Sequence, residues 1–203
     1  MKIGVLGGTF DPVHRAHIAA AEAARGTLGL DRVLLVPAGQ PMSKPNRPVT
    51  QAEHRINMLR LAIKGKPGLE ISDIEIKRPG PSYTIDTITE LKQTWGDETE
   101  IYFILGCDSL LQIPQWKDPS RLAAICRLVA VPRPGCPAPD MKSLEKKVPG
   151  ITRSVIFLDH PNLDLSATDI RERIANGKST DDYIPEPVAE YIQKHELYQK
   201  TEG

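Results

Sequence analysis

Apolar positions along the chain fall into short unbroken runs, and between them the spacing changes to that of helices. Ile3–Leu6, Val33–Val36, Leu69–Ile76, Ile101–Leu105, Leu128–Val131 and Val155–Leu158 read as buried strands. Because these runs are continuous rather than alternating, they predict strands covered on both faces, as in a parallel sheet. Helix starts stand between them: Thr50 with Glu53 three residues on as a capping box, and Asp118-Pro119 as N-cap and first helical residue. Strand and helix therefore alternate, which requires right-handed crossovers and gives an α/β fold, a doubly wound and mostly parallel sheet with helices on both faces. Proline-rich patches at 37–48 and 132–139 follow predicted strands directly and read as loops at the sheet's carboxyl edge, where such folds bind ligands. No repeat or linker interrupts the pattern, so residues 1–203 are expected to form one domain, with C-terminal helices at about 166–199 packed on it.

Charge narrows the partners. The 26 Lys and Arg residues balance 26 Asp and Glu, leaving no long-range field to gather nucleic acid or an anionic membrane, and neither is expected as a partner. No segment approaches the roughly 20 consecutive apolar residues of a membrane span. The run from Ile3 to Phe10 is broken by Gly7-Gly8 and ends at Asp11-Pro12, unlike a secretory leader. Cys107, Cys126 and Cys136 are odd in number and contain no CxxC pair, so neither a disulfide nor a cysteine-based zinc site is expected. Cys107 and Cys126 read as core, and a cytoplasmic location follows as the expectation.

The segment from Gly7 to His17 carries the most chemistry. Gly7 and Gly8 end a strand where the backbone must turn, and the lack of a Cβ lets main-chain amides approach an anion. Asp11 reads as an N-cap and Pro12 as a first helical residue, placing free N–H groups and a partial positive charge at the same spot. His14 and His17 then fall three apart on one face, within reach of a bound phosphate. Metal ligation by the two histidines is a second reading, although no companion carboxylate motif accompanies them. Near the other end, Ser166 with Asp169 three residues on opens a second helix, which stops at Asn176-Gly177; Arg171 sits one turn inside and can run back over Thr168 toward the helix mouth.

The string Gly7-Gly8-Thr9-Phe10-Asp11-Pro12-Val13-His14, with His17 following, resembles the HxGH signature of the nucleotidylyltransferase superfamily, Ala16 standing where glycine is usual. Leu165-Ser166-Ala167-Thr168-Asp169-Ile170-Arg171 resembles its second motif, ISSTxIR, with Ala167 in place of a serine. Within the superfamily, Gly80-Pro81-Ser82-Tyr83-Thr84-Ile85-Asp86-Thr87 resembles the GPSYTxDT segment of the bacterial nicotinate mononucleotide adenylyltransferases. Gly106-Cys107-Asp108-Ser109 with Trp116, and Val131-Pro132-Arg133-Pro134-Gly135, resemble two further strand ends of that family.

The resemblance implies a Rossmann-like fold and transfer of AMP from ATP to nicotinate mononucleotide, with Mg²⁺ held mainly by the phosphates. It implies ATP contacts from Gly7, Gly8, Thr9, Phe10, His14 and His17 on the first motif. Gly106, Asp108, Ser166, Thr168 and Arg171 would complete the ATP site. The mononucleotide would meet Tyr83, Thr84, Asp108, Trp116 and Arg133: Trp116 offers a flat face to an electron-poor ring, Asp108 accepts from ribose hydroxyls, and Thr84 with nearby helix amides receives a carboxylate. His14, His17, Lys44 and Arg171 would be catalytic, Lys44 retained from a His-Lys pair of which Ser43 replaces the histidine. Glu53-His54-Arg55 reads as capping and surface charge.

Rivals are poorer. A nucleotide-dependent oxidoreductase needs G-x-G-x-x-G in the first turn, which Gly4-Val5-Leu6-Gly7-Gly8 does not supply. Gly177-Lys178-Ser179-Thr180 looks like the tail of a phosphate-binding loop, yet Glu172 stands where its first glycine belongs. A nucleotide-sensing module without turnover, the nicotinamide mononucleotide as acceptor, and transferases for pantetheine phosphate or glycerol phosphate remain as alternatives. The oligomeric state stays open, a homodimer included.

Overall fold

A computed structural model describes residues 1–41, 49–96, 98–161 and 163–199. Six parallel strands form one sheet: β1 (Lys2–Gly8), β2 (Arg32–Pro37), β3 (Leu69–Ile71), β4 (Glu100–Gly106), β5 (Arg127–Val131) and β6 (Val155–Phe157), in the order β3-β2-β1-β4-β5-β6. The chain winds outward from β1 through β2 to β3, then returns to β4 on the other side of β1. The reversal leaves the β1/β4 seam as the switch point, open at its carboxyl end.

Side chains alternate along each strand between two cores, which explains the unbroken apolar runs. On one face Leu6, Val33, Leu35, Ile104 and Val129 pack with α1 (Arg15–Leu28), α2 (Ala52–Ala62), α9 (Ala167–Ala175) and α10 (Glu186–Lys194). On the other, Val5, Leu34, Phe103, Leu105 and Leu128 meet α4 (Thr84–Trp95), α5 (Cys107–Gln112), α6 (Pro119–Ile125), α7 (Met141–Lys147) and α8 (Ile151–Ser154). α1 presents Ile18, Ala20, Ala21 and Ala24 inward, so its small residues let it lie close to the sheet. At the far end of α4, Trp95 packs on its core and carries the Arg32 guanidinium 5.3 Å above its ring.

Local expectations fail at three places. The run Leu69–Ile76 is a strand only to Ile71: Ser72 still donates to the Leu35 carbonyl at 3.1 Å, then Asp73 starts a short helix, α3 (Ile74–Lys77). The expected Thr50 capping box does not close α2, because the residue at its cap position is Gln51, which makes no side-chain cap bond. The first helix opens at Arg15 with His14 as N-cap, three residues later than Asp11-Pro12 predicted. There Val13 is drawn wholly into the core and the Asp11 carboxylate is occupied by the Tyr198 hydroxyl at 2.7 Å, so it cannot cap. Asp118-Pro119 does open α6, and Ser166 does cap α9 by accepting from Asp169 N–H at 3.1 Å.

Candidate active site

A cleft of about 890 Å³ lies over the carboxyl ends of β1 and β4. It brings together all the candidate residues named from sequence except Lys44, which lies outside the described residues together with Ser43. Segments 7–17, 82–84, 106–133 and 163–171, far apart in the chain, supply its walls.

One wall is the turn after β1. Its left-handed residue is Phe10 (φ 50), not a glycine; the Phe10 ring is buried under Gly8, where a Cβ would lie 3.2 Å from it. Asp11-Pro12 is a cis peptide in this turn. The turn is fastened from behind by three residues from distant parts of the chain. Arg55, 2% exposed, donates to the carbonyls of Thr9 (3.0 Å), Ala38 (2.8 Å) and Thr50 (2.9 Å), so it is an internal staple and not surface charge. Arg171 donates to the Asp11 carbonyl and to Thr168 Oγ1 at 2.9 Å, which confirms the path of its side chain over Thr168. Tyr198 donates to the Asp11 carboxylate; burial and that carboxylate push its phenol up, so the proton stays in place.

His14 and His17 stack with ring centroids 3.6 Å apart, and the edge of Phe10 meets His17 at 4.9 Å. The His14 backbone N–H donates to His17 Nδ1 at 3.2 Å. A nitrogen that accepts carries no proton, so the His17 proton sits on Nε2. Burial, then the Arg133 charge, lowers His14 to about 4. Burial and its neighbour His14 hold His17 well below the ordinary histidine value. Both rings are therefore neutral at pH 7, and they act as hydrogen-bonding groups rather than as cations.

Opposite, the segment before α4 is stitched to the end of β2. Gly39 N–H donates to Ser82 Oγ at 2.9 Å and Ser82 N–H to the Gln40 carbonyl at 3.0 Å. Gly39 has to be glycine, since a Cβ would fall 2.3 Å from the Glu75 carbonyl oxygen. This places Tyr83 and Thr84 on the cleft at the start of α4, where Tyr83 is the N-cap residue and makes no side-chain cap bond. The other motif residues turn inward or sideways: Thr87 is buried and donates to Glu75 at 2.7 Å, while Asp86 pairs with Lys117 at 2.9 Å. Lys117, which no sequence pattern singled out, also stands 4.7 Å above the Tyr83 ring. Trp116 leans edge-on against Phe103 (centroids 6.0 Å, 81°) and shows its remaining surface to the cleft.

Asp108 is the second residue of α5, not its cap, and its half-exposed carboxylate pairs with Arg133 at 3.1 Å; Arg133 also reaches Asp164 at 3.5 Å. Contrary to expectation, Cys107 and Cys136 form a disulfide. The pairing was illegible in the chain because the two cysteines stand 29 positions apart and meet only once the chain has folded back through α6 and β5, which sets β4 and β5 side by side. Cys126 is a buried free thiol, pushed up to about 12 by burial. Among the described residues, the one close grouping of metal-type ligands is Cys107, Asp108 and Cys136, and its two sulfurs are already bonded to each other.

A switch-point cleft with a glycine turn, two helix N-termini and a stacked histidine pair defines a nucleotide-binding α/β protein of the nucleotidylyltransferase class. The family described as cytidylyltransferase-like matches residues 5–173. A Dehalococcoides mccartyi protein named probable nicotinate-nucleotide adenylyltransferase is 46% identical over 200 residues, covering 98% of each chain. One of the same name from Thermoanaerobacter sp. is 44% identical over 203 residues, covering 100% of this chain and 96% of its own. In fold, the chain matches the Plasmodium falciparum nicotinic acid mononucleotide adenylyltransferase complexed with NaAD at TM-score 0.81, with 22% identity and 97% of each chain covered. The chain belongs to the cytidylyltransferase-like family and, within it, to the nicotinate-nucleotide adenylyltransferases.

Proposed function

We propose that this protein transfers the adenylyl group of ATP to nicotinate mononucleotide, forming nicotinate adenine dinucleotide and pyrophosphate. The observation that carries this reading is the single cleft on which a phosphate-type turn, the Tyr83-Thr84 helix start and the Trp116 face converge.

The acceptor's 5′-phosphate is already an anion at neutral pH, so it attacks the α-phosphorus without a general base. The barrier comes from bringing several negative charges into line, and positioned donors lower it. Amides of the Gly7–Thr9 turn and of the α1 and α9 N-termini offer fixed dipoles to the ATP phosphates. His17 Nε2–H donates without carrying charge, and Arg171 supplies a cation whose backing by Thr168 and Asp11 fixes its direction. Lys44 would add a second cation. Trp116 stacks the pyridine ring, Asp108 and Arg133 hold ribose and phosphate, and the first-turn amides of α4 at Thr84 receive the carboxylate.

Mg²⁺ fits this cleft as a passenger on the phosphates, because the carboxylates that line it already have partners: Asp11 in Tyr198, Asp108 in Arg133, and Glu75 in Thr87. When bound, it would neutralise phosphate charge. The reaction belongs to a soluble, cytoplasmic biosynthetic step.

Pyrophosphate release with ATP and Mg²⁺ tests the reading, with nicotinate and nicotinamide mononucleotides as parallel acceptors. A strong preference for nicotinate supports both reaction and carboxylate pocket. Equal rates would remove the pocket, and no release with either would overturn the assignment.

A further inference from the structure

The Cys107–Cys136 bond joins two segments that the ion pair Asp108–Arg133 also joins. Cys107 precedes Asp108 at the end of β4; Cys136 follows Arg133 by three residues in the loop after β5. Cys136 N–H donates to the Arg133 carbonyl at 3.1 Å across a turn in which Gly135 takes φ 77. The turn ties the Cys136 backbone to that of Arg133, and the disulfide and the ion pair close a small ring at the cleft.

The bond adds nothing to the sheet, since β4 and β5 already pair from Tyr102–Arg127 to Gly106–Val131. What it constrains is the loop beyond Val131, where residues 132–140 form neither helix nor strand. There the ion pair is half exposed, with side chains 37% and 50% accessible, and an exposed pair alone contributes little to holding a loop. Arg133 is also close enough for its charge to act on His14, so the loop's position reaches the phosphate side of the cleft.

We propose that Cys107–Cys136 is a redox-sensitive latch that holds Arg133 in place for the mononucleotide. The inference deepens the adenylyl-transfer reading and rests on it for the substrate. Opening takes two electrons and two protons, supplied by a dithiol. One thiolate of the donor attacks the half-buried Cys136 sulfur, forming a mixed disulfide and releasing buried Cys107, which takes a proton. The donor's second thiol displaces Cys136 as a thiol and leaves the donor as a disulfide. Cys126, buried and held as a thiol, takes no part. If the unlatched loop holds Arg133 correctly about one-fifth of the time, KM for the mononucleotide rises about fivefold with kcat changed less.

The test uses the full chain, oxidised or reduced with dithiothreitol. Peptide mapping after alkylation reads the bond, hydrogen exchange reads the segment 132–140 through its Cys136 amide, which bonds the Arg133 carbonyl, and steady-state kinetics reads KM. Support would be a mapped Cys107–Cys136 link, faster exchange in 132–140 on reduction, and a KM about fivefold higher. Cys136→Ser should show that higher KM with or without reductant. Exchange unaffected by reduction would overturn the latch even if the chain transferred nothing to nicotinate mononucleotide, an outcome that would count separately against the proposed function. Normal transfer with a KM indifferent to redox state would overturn the latch and leave that function standing.

Discussion

The two histidines illustrate how far residue type alone can be read. Their place beside a phosphate turn was legible from the Gly-Gly turn and the spacing of three. Their charge was not, because it depends on burial and on Arg133, which arrives from more than a hundred residues away. Since His14 is lowered to about 4, the unfolded chain binds a proton near pH 6.5 that the folded chain refuses until about 4. Stability is thus constant above 6.5 and falls below it, by about 3 kcal/mol at pH 4 from this ring alone. Thermal unfolding against pH should show that decline, and His14→Asn should make it shallower, the remainder coming from His17. For His17, removal of the Nε2–H donor by His17→Ala should cost about 10²–10³ in kcat while ATP KM changes little. Steady-state kinetics decides this, and an unchanged kcat would remove the residue from the chemistry. Arg55 was missed, although its spacing with Met58, Leu59 and Ala62 puts it on the buried stripe of α2. A charged residue on an apolar face is a signal of internal hydrogen bonding that composition alone conceals.

At the scale of elements, the parallel strands and the second phosphate helix were legible because each is specified locally, by an apolar run or by a cap. α9 shows the rule: Ser166 bonds Asp169 N–H as its sequence position requires. Ser166→Ala should destabilise the protein by about 1 kcal/mol in denaturant unfolding and raise ATP KM, since the frayed turn lines the cleft. The first helix breaks the rule, since Asp11 has the right chemistry for a cap but is claimed by Tyr198, 187 residues away. β3 is short for a similar reason: Glu75, in an apolar run, is drawn into a buried bond with Thr87. Local signals fail where a distant partner competes for the same group.

For the whole molecule, the sheet order was not legible in detail, yet it decides everything about the site, because only the β1/β4 reversal gathers four remote segments around one opening. The C-terminal segment belongs to that assembly. Tyr191 on α10 bonds His54 at 2.9 Å and Asn57 at 3.2 Å on α2, and Tyr198 reaches under the phosphate turn. Tyr198→Phe leaves the packing and removes one hydrogen bond from the buried Asp11 carboxylate, at a cost of about 1–3 kcal/mol. A fall in the unfolding midpoint together with a higher ATP KM is the expected pair of results. The neighbourhoods of the two tryptophans give the same molecule an optical property. Trp95 lies under Arg32 at the far end of α4 and does not line the cleft, whereas Trp116 does. Emission from the protein is thus the sum of a constant background and a component that an electron-poor ring quenches on stacking. Occupancy of the acceptor site can then be followed in real time without a label, and Trp116→Phe should abolish the quenching while leaving the Trp95 background.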